Sequence, residues 1–80
     1  MADVKELLEH IIKAIVDKPE QVEIREIPGE RVVIYELKVA SEDLGKVIGK
    51  EGRTAKAIRT IISAVSLKRG KKAIVDILEP

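Results

Sequence analysis

Val47-Ile48-Gly49-Lys50-Glu51-Gly52-Arg53-Thr54-Ala55-Lys56-Ala57-Ile58-Arg59 is the stretch on which the fold of this 80-residue chain turns. Two glycines bracket a charged pair, an aliphatic pair precedes them, and the residues after Gly52 follow the pattern of a basic amphipathic helix. Glycine has no Cβ, so the backbone can bend sharply here and another backbone can come close. A helix that begins at such a bend offers unpaired N–H groups and the positive end of its dipole to an anion. Lys50 and Arg53 add positive charge at the same place. The combination implies a clamp for a phosphate backbone, which makes nucleic acid the expected ligand.

Working outward, the helix that opens near Arg53 extends to about Leu67, with Ala55, Ile58, Ile62 and Val65 on its inner face. Before the glycines, Ser41 is a plausible N-cap for a very short helix from Glu42 to Lys46 or Val47, and Glu42 and Asp43 suit its positive end. Further upstream, Arg31 to Val39 alternates as a strand, with Val33, Tyr35, Leu37 and Val39 on one face. Val22 and Ile24 alternate with Glu23 and Arg25 in a preceding strand, and Pro28-Gly29 supplies the turn between the two. Residues 3–17 form an amphipathic helix through Val4, Leu7, Leu8, Ile11, Ile12 and Ile15, capped by Asp3 with Glu6 and stopped by Pro19. Downstream, Lys68-Arg69-Gly70-Lys71-Lys72 is a basic turn and Ala73 to Leu78 a closing strand, with Glu79-Pro80 as a plain tail. The order helix, strand, strand, short helix, helix, strand fits an α+β domain, a three-stranded sheet with helices on one side.

A chain this short buries only about 60% of the surface it exposes when unfolded, so one compact domain over 1–80 is expected. The 45% hydrophobic fraction supports a globular core despite 36% charged residues. Net charge is +1, but its distribution is uneven. Residues 1–40 hold six basic and nine acidic groups, residues 41–72 nine and three, and residues 73–80 add two acids. The positive charge gathers where the glycines are, and it is the local field that steers a polyanion. Cysteine is absent, which removes disulfides and thiolate metal sites. The start Met1-Ala2-Asp3-Val4-Lys5-Glu6 lacks the pattern of a signal peptide, and no apolar run reaches membrane-span length, so a soluble cytoplasmic protein is expected.

The run Val39 to Ile62, with V-I-G-K-E-G-R at its centre after an alternating strand, resembles a KH domain. The order of elements is similar to the type II arrangement of that fold, and the short length resembles the small bacterial KhpA family of RNA-binding proteins. KH domains place a G-x-x-G loop between two helices and clamp about four nucleotides of single-stranded nucleic acid. On that resemblance, Gly49 and Gly52 let the sugar-phosphate backbone lie against the loop, and Lys50 and Arg53 neutralise phosphates. Ile48, Lys46, Glu51 and Lys56 complete the implied RNA-contacting set. The implied groove for bases has Leu44, Val47 or Ile48, and Ala55 or Ile58 on one wall, with Ile74 to Asp76, including Val75, as the far wall. Glu51 sits beside the expected phosphate and offsets part of the Lys50 charge. Ala57, Ile61 and Ala64 form a second apolar stripe on the long helix. The resemblance implies that this stripe serves a homodimer, or a heterodimer with a KhpB-type, Jag-like RNA-binding protein. It further implies a bacterial RNA chaperone or post-transcriptional regulator linked to cell envelope growth or division.

Other chemistries fail on residue types. Gly45-x-x-x-Gly49-Lys50 is one residue short of a P-loop and has Glu51 where Ser or Thr must hold magnesium. His10 is the sole histidine, off the apolar face of the first helix, so neither a catalytic pair nor a zinc site can be built on it. Tyr35 is the single aromatic residue, too few for a surface that holds bases by stacking. No enzyme, metal or cofactor is expected. The rival reading is a KH-fold protein-interaction or assembly module with little RNA affinity.

Overall fold

A computed structural model of the chain describes residues 3–79. Met1, Ala2 and the final proline of the Glu79-Pro80 tail lie outside the described residues. The elements are α1 (Val4–Ile15), β1 (Glu23–Pro28), β2 (Val32–Lys38), α2 (Leu44–Ile48), α3 (Arg53–Lys68) and β3 (Lys72–Ile77). Short 3-10 turns precede β1, α2 and α3. β1 pairs antiparallel with β2 and β3 pairs parallel with β2, giving the order β1-β2-β3 with β2 central. This is the α+β, type II KH architecture, a mixed sheet with three helices on one face.

The core lies between that sheet face and the helices. Val33, Tyr35 and Leu37 of β2 and Val75 of β3 pack against Val4, Leu8 and Ile12 of α1, Val47 of α2, and Ile58 and Ile62 of α3. Alternation along β2 sends Val33, Tyr35 and Leu37 inward, while Val39 is only partly buried because the strand ends at Lys38 and Ala40 turns inward instead. Tyr35 is thus core, not a stacking platform.

Boundaries differ from the sequence reading in three places, each with a physical cause. Asp3 caps α1 by accepting the Glu6 N–H at 2.8 Å, as the spacing implied. The helix stops at Ile15, short of residue 17, because Val16 turns to extended dihedrals and buries its side chain in the core. Pro28 is the last residue of β1, opposite Val33, instead of part of the turn. An edge strand tolerates proline because the missing N–H is not needed for pairing. Ser41 does not cap α2; its hydroxyl donates to the Glu42 carboxylate at 3.0 Å, within a 3-10 turn from Ser41 to Asp43.

Asp43 is the least foreseen residue of the fold. Only 1% exposed, it accepts the Asp17 N–H at 3.2 Å and the Lys18 N–H at 2.9 Å, tying the chain after α1 to the start of α2. Two ion pairs flank this tie, Lys18 with Glu42 and Lys46 with Asp17 at 3.0 Å. The hydrogen bond from Lys18 is the main cause holding the Glu42 carboxyl down at about 2. Removing a buried acceptor strands the donors that used it, at a cost of about 1–3 kcal/mol. Asp43→Ala is therefore expected to lower the thermal midpoint by roughly 5–20 °C, given about 4–8 °C per kcal/mol for a domain of this size. Asp43→Asn, which keeps an acceptor oxygen, should lose less. Circular dichroism melts check both, and a midpoint unchanged in Asp43→Ala would remove Asp43 from the structural account.

Candidate nucleic-acid interface

α2 ends at Ile48, and the Gly49 N–H closes it on the Gly45 carbonyl at 2.8 Å. The backbone then takes positive φ at three of four residues: Gly49 (φ 76, ψ 171), Glu51 (φ 57, ψ 24) and Gly52 (φ 74, ψ 13). The loop is a bend and not a continuation of helix, and Lys50, Glu51 and Arg53 are exposed.

The two glycines have different jobs. A Cβ on Gly49 would stand 2.2 Å from the Thr54 Oγ1 and 2.9 Å from the Thr54 N, so that glycine is needed for close packing as well as for its φ. A Cβ on Gly52 would meet nothing within 4 Å. Gly52 leaves an open face at the mouth of α3, where Gly49 has its space filled by Thr54. Gly49 is partly buried, and it is its Cβ side that packs on Thr54. Thr54 drew no attention in the sequence, since a threonine in the first turn of a helix has no distinguishing pattern.

Glu51 is the only non-glycine with positive φ among the described residues. That conformation costs an ordinary residue about 1–2 kcal/mol. Its carboxylate pairs with Arg53 at 3.1 Å, not with Lys50. Both groups are well exposed, so the pair is worth at most about 1 kcal/mol and an incoming phosphate can displace the carboxylate. Lys50 makes no ion pair among the described residues.

α3 opens without a side-chain cap, and the Arg53 N–H returns to the Lys50 carbonyl. A sixteen-residue helix with an uncapped start presents donors and a positive dipole end to the solvent beside Lys50 and Arg53. Lys56 is exposed one turn further on. Lys46 is drawn elsewhere: it bonds Asp17 and lies 4.0 Å from Asp43, and the Asp17 hydrogen bond raises its pKa. A phosphate would have to compete with Asp17 for it.

The residues named for the groove differ in exposure. Val47 is fully buried, Ile58 is 3% exposed, and Val75 and Ala55 are 4% exposed; Val47, Ile58 and Val75 belong to the central core. Leu44 and Ile48 are partly buried and are the wall residues within reach of solvent. Successive strand residues face opposite ways, so Ile74 and Val75 cannot share one wall. Ile74, 43% exposed, lies on the sheet face away from the helices. The far side of α3 is instead tied to β3 by Arg59, whose Nε donates to the Val75 carbonyl at 3.1 Å. Ala57, Ile61 and Ala64 are all exposed, Ile61 by 48%, so this stripe does not widen the core contact.

Residues 5–77, nearly the whole chain, match the family model described as KhpA/KhpB, KH domain. The chain belongs to the KhpA/KhpB family of KH domains. It is 57% identical over 74 residues to the RNA-binding protein KhpA of Clostridium perfringens, covering 92% of this chain and 99% of that protein. The KhpA of Chlamydia pneumoniae is 51% identical over 75 residues, 94% of this chain and 96% of its own. That of Aquifex aeolicus is 46% identical over 79 residues, covering 99% and 100%.

Proposed function

We propose that this chain binds single-stranded RNA through the Gly49–Gly52 loop, with Lys50, Arg53 and the opening N–H groups of α3 on the phosphates. The observation that carries the reading is an exposed, left-handed bend feeding an uncapped basic helix. The names of the relatives, RNA-binding protein KhpA, support it. Bases would lie toward Leu44 and Ile48. With few exposed cations at the loop and Glu51 competing for Arg53, one copy binds weakly and with strong salt dependence. Charge reversal of the loop, Lys50→Asp with Glu51→Asp, tests the reading by loss of RNA retention. Unchanged retention, with partner binding intact, would favour the protein-interaction reading, for which the Glu51–Arg53 pair is the supporting observation.

Weak single-site binding gains strength when two sites act together. The exposed stripe Ala57, Ile61 and Ala64 serves this by pairing α3 with a second copy, or with a KhpB-type, Jag-like partner. Ile61→Asp is expected to shift sedimentation from dimer to monomer at micromolar concentration. A profile identical to that of the parent would remove α3 from the interface. The cellular role we propose is that of a cytoplasmic RNA chaperone or post-transcriptional regulator tied to envelope growth or division. Crosslinking in cells, followed by sequencing of the captured RNA, reads it out.

A further inference from the structure

The far end of α3 carries a second concentration of positive charge that the loop does not use. Lys68, Arg69, Lys71 and Lys72 fall within five residues, and Arg31 joins them because the Lys72 N–H bonds the Arg31 carbonyl at 2.9 Å. Cations at a helix C-terminus complement its dipole, which accounts for Lys68 and Arg69. It does not account for Lys71, Lys72 or Arg31, which lie beyond the helix. Among the described residues Arg31, Lys68 and Lys72 make no ion pair. Nearby like charges oppose folding, so the fold itself gains little from gathering them.

The turn that holds these residues is built from buried groups. Ser66, 2% exposed, donates its hydroxyl to the Lys71 carbonyl at 2.8 Å, while its own carbonyl accepts the Arg69 and Lys71 N–H groups at 2.9 and 3.1 Å. Gly70 supplies the positive φ of 86° that the reversal requires, and the Lys71 ammonium bonds the Gly29 carbonyl of the β1–β2 loop at 3.0 Å. A buried serine at a helix core position thus fixes a cationic turn against a second loop. Between the two poles, a shallow hollow of about 570 Å³ on α3 is lined by Lys56, Arg59, Thr60, Ser63, Ala64 and Leu67. It begins one turn after Arg53 and ends beside Lys68. It shares Ala64 with the apolar stripe, while Ala57 and Ile61 are not among its lining residues.

We propose that this turn is a second phosphate-contacting site, and that an RNA strand held at the Gly49–Gly52 loop continues along α3 to Lys68 and around the open β3 edge to Lys72, whose side chain shares the outer sheet face with Ile74. α3 is about 24 Å long at 1.5 Å per residue, which a stacked strand at about 3.4 Å per nucleotide spans in about seven nucleotides. The footprint is then longer than the four or so nucleotides of the loop clamp alone. The inference rests on single-stranded RNA being the ligand, and the test separates the two ideas.

The measurement is fluorescence anisotropy of unstructured RNA oligomers of 6 and 16 nucleotides, over a salt series. The proteins are the parent, Lys68→Glu with Lys72→Glu, and an equal charge change on α1, Lys5→Glu with Lys13→Glu. The turn variant is expected to lose at least tenfold affinity for the 16-mer and about 1.4 from its log–log salt slope, two contacts at about 0.7 each. The α1 variant should keep the parent's slope. Lys68→Gln with Lys72→Gln gives the same slope change should the glutamates disturb the fold. A turn variant with the parent's slope and affinity for the 16-mer, while the Lys50/Glu51 variant loses binding, overturns the second site and leaves the loop reading standing. A parent that binds neither oligomer overturns both.

Discussion

Replacing Lys50 and Glu51 together with aspartate is expected to weaken binding of a single-stranded RNA oligomer by at least tenfold, with the fold intact. The electrostatic side is direct. Lys50 makes no ion pair among the described residues, so its charge is available to a phosphate. Losing one such contact lowers the salt slope by about 0.7, and a carboxylate in its place adds repulsion at the mouth of α3. The structural side makes the substitution mild. Position 51 has φ 57, a region that aspartate tolerates better than glutamate, and both side chains point into solvent. The thermal midpoint should stay within a few degrees of the parent's. Anisotropy against a labelled oligomer, with a parallel melt, reads both quantities. Loss of binding together with a collapsed melt would point to misfolding instead, and parent-like affinity would end the case for this loop as the RNA contact.

How much of this was legible in the chain depends on what each residue's signal was. The α1 stripe, the alternation of β2 and the inner face of α3 were readable because burial there follows a fixed period, and the core cluster contains those residues. The glycine bend was readable because few residues other than glycine accept its dihedrals. What escaped was long-range. Asp43 looks in sequence like an acid at a helix start, yet it is a buried acceptor for N–H groups 25 and 26 residues away. Lys46 reads as one more cation near the loop until Asp17 is seen beside it. Ser66 sits at a core position where the pattern asks for an aliphatic side chain, and the reason is a hydrogen bond to Lys71 that periodicity does not encode. The groove is the least legible part for a related cause. Val47, Ile58 and Val75 carry the same apolar signal whether they line a groove or fill a core, and only the packing tells the two apart.

Gly49→Ala should be the most damaging single methyl in the loop, and Gly52→Ala a much milder one. Both positions have positive φ, so both alanines carry backbone strain. At Gly52 the dihedrals are those of the left-handed helix region, where a non-glycine residue costs about 1–2 kcal/mol, and the new methyl would meet open space. At Gly49 the combination of φ 76 with ψ 171 belongs to a region essentially restricted to glycine, at about 1–3 kcal/mol. There the methyl would also overlap the Thr54 side chain at 2.2 Å and its backbone N at 2.9 Å. A side chain can rotate away, but the backbone at the start of α3 cannot move without shifting the helix, so crowding adds to the strain. The expected loss for Gly49→Ala is about 2–4 kcal/mol, a midpoint lower by roughly 10–25 °C. Gly49→Ala with Thr54→Ala removes the Oγ1 contact but keeps the Cβ and backbone conflicts, so it should recover a minor part of the loss. Full recovery in that double variant would mean that side-chain crowding alone requires the glycine. Equal midpoints for Gly49→Ala and Gly52→Ala would contradict the division of labour drawn between the two glycines, because only the Thr54 contact and the more restrictive dihedrals separate them.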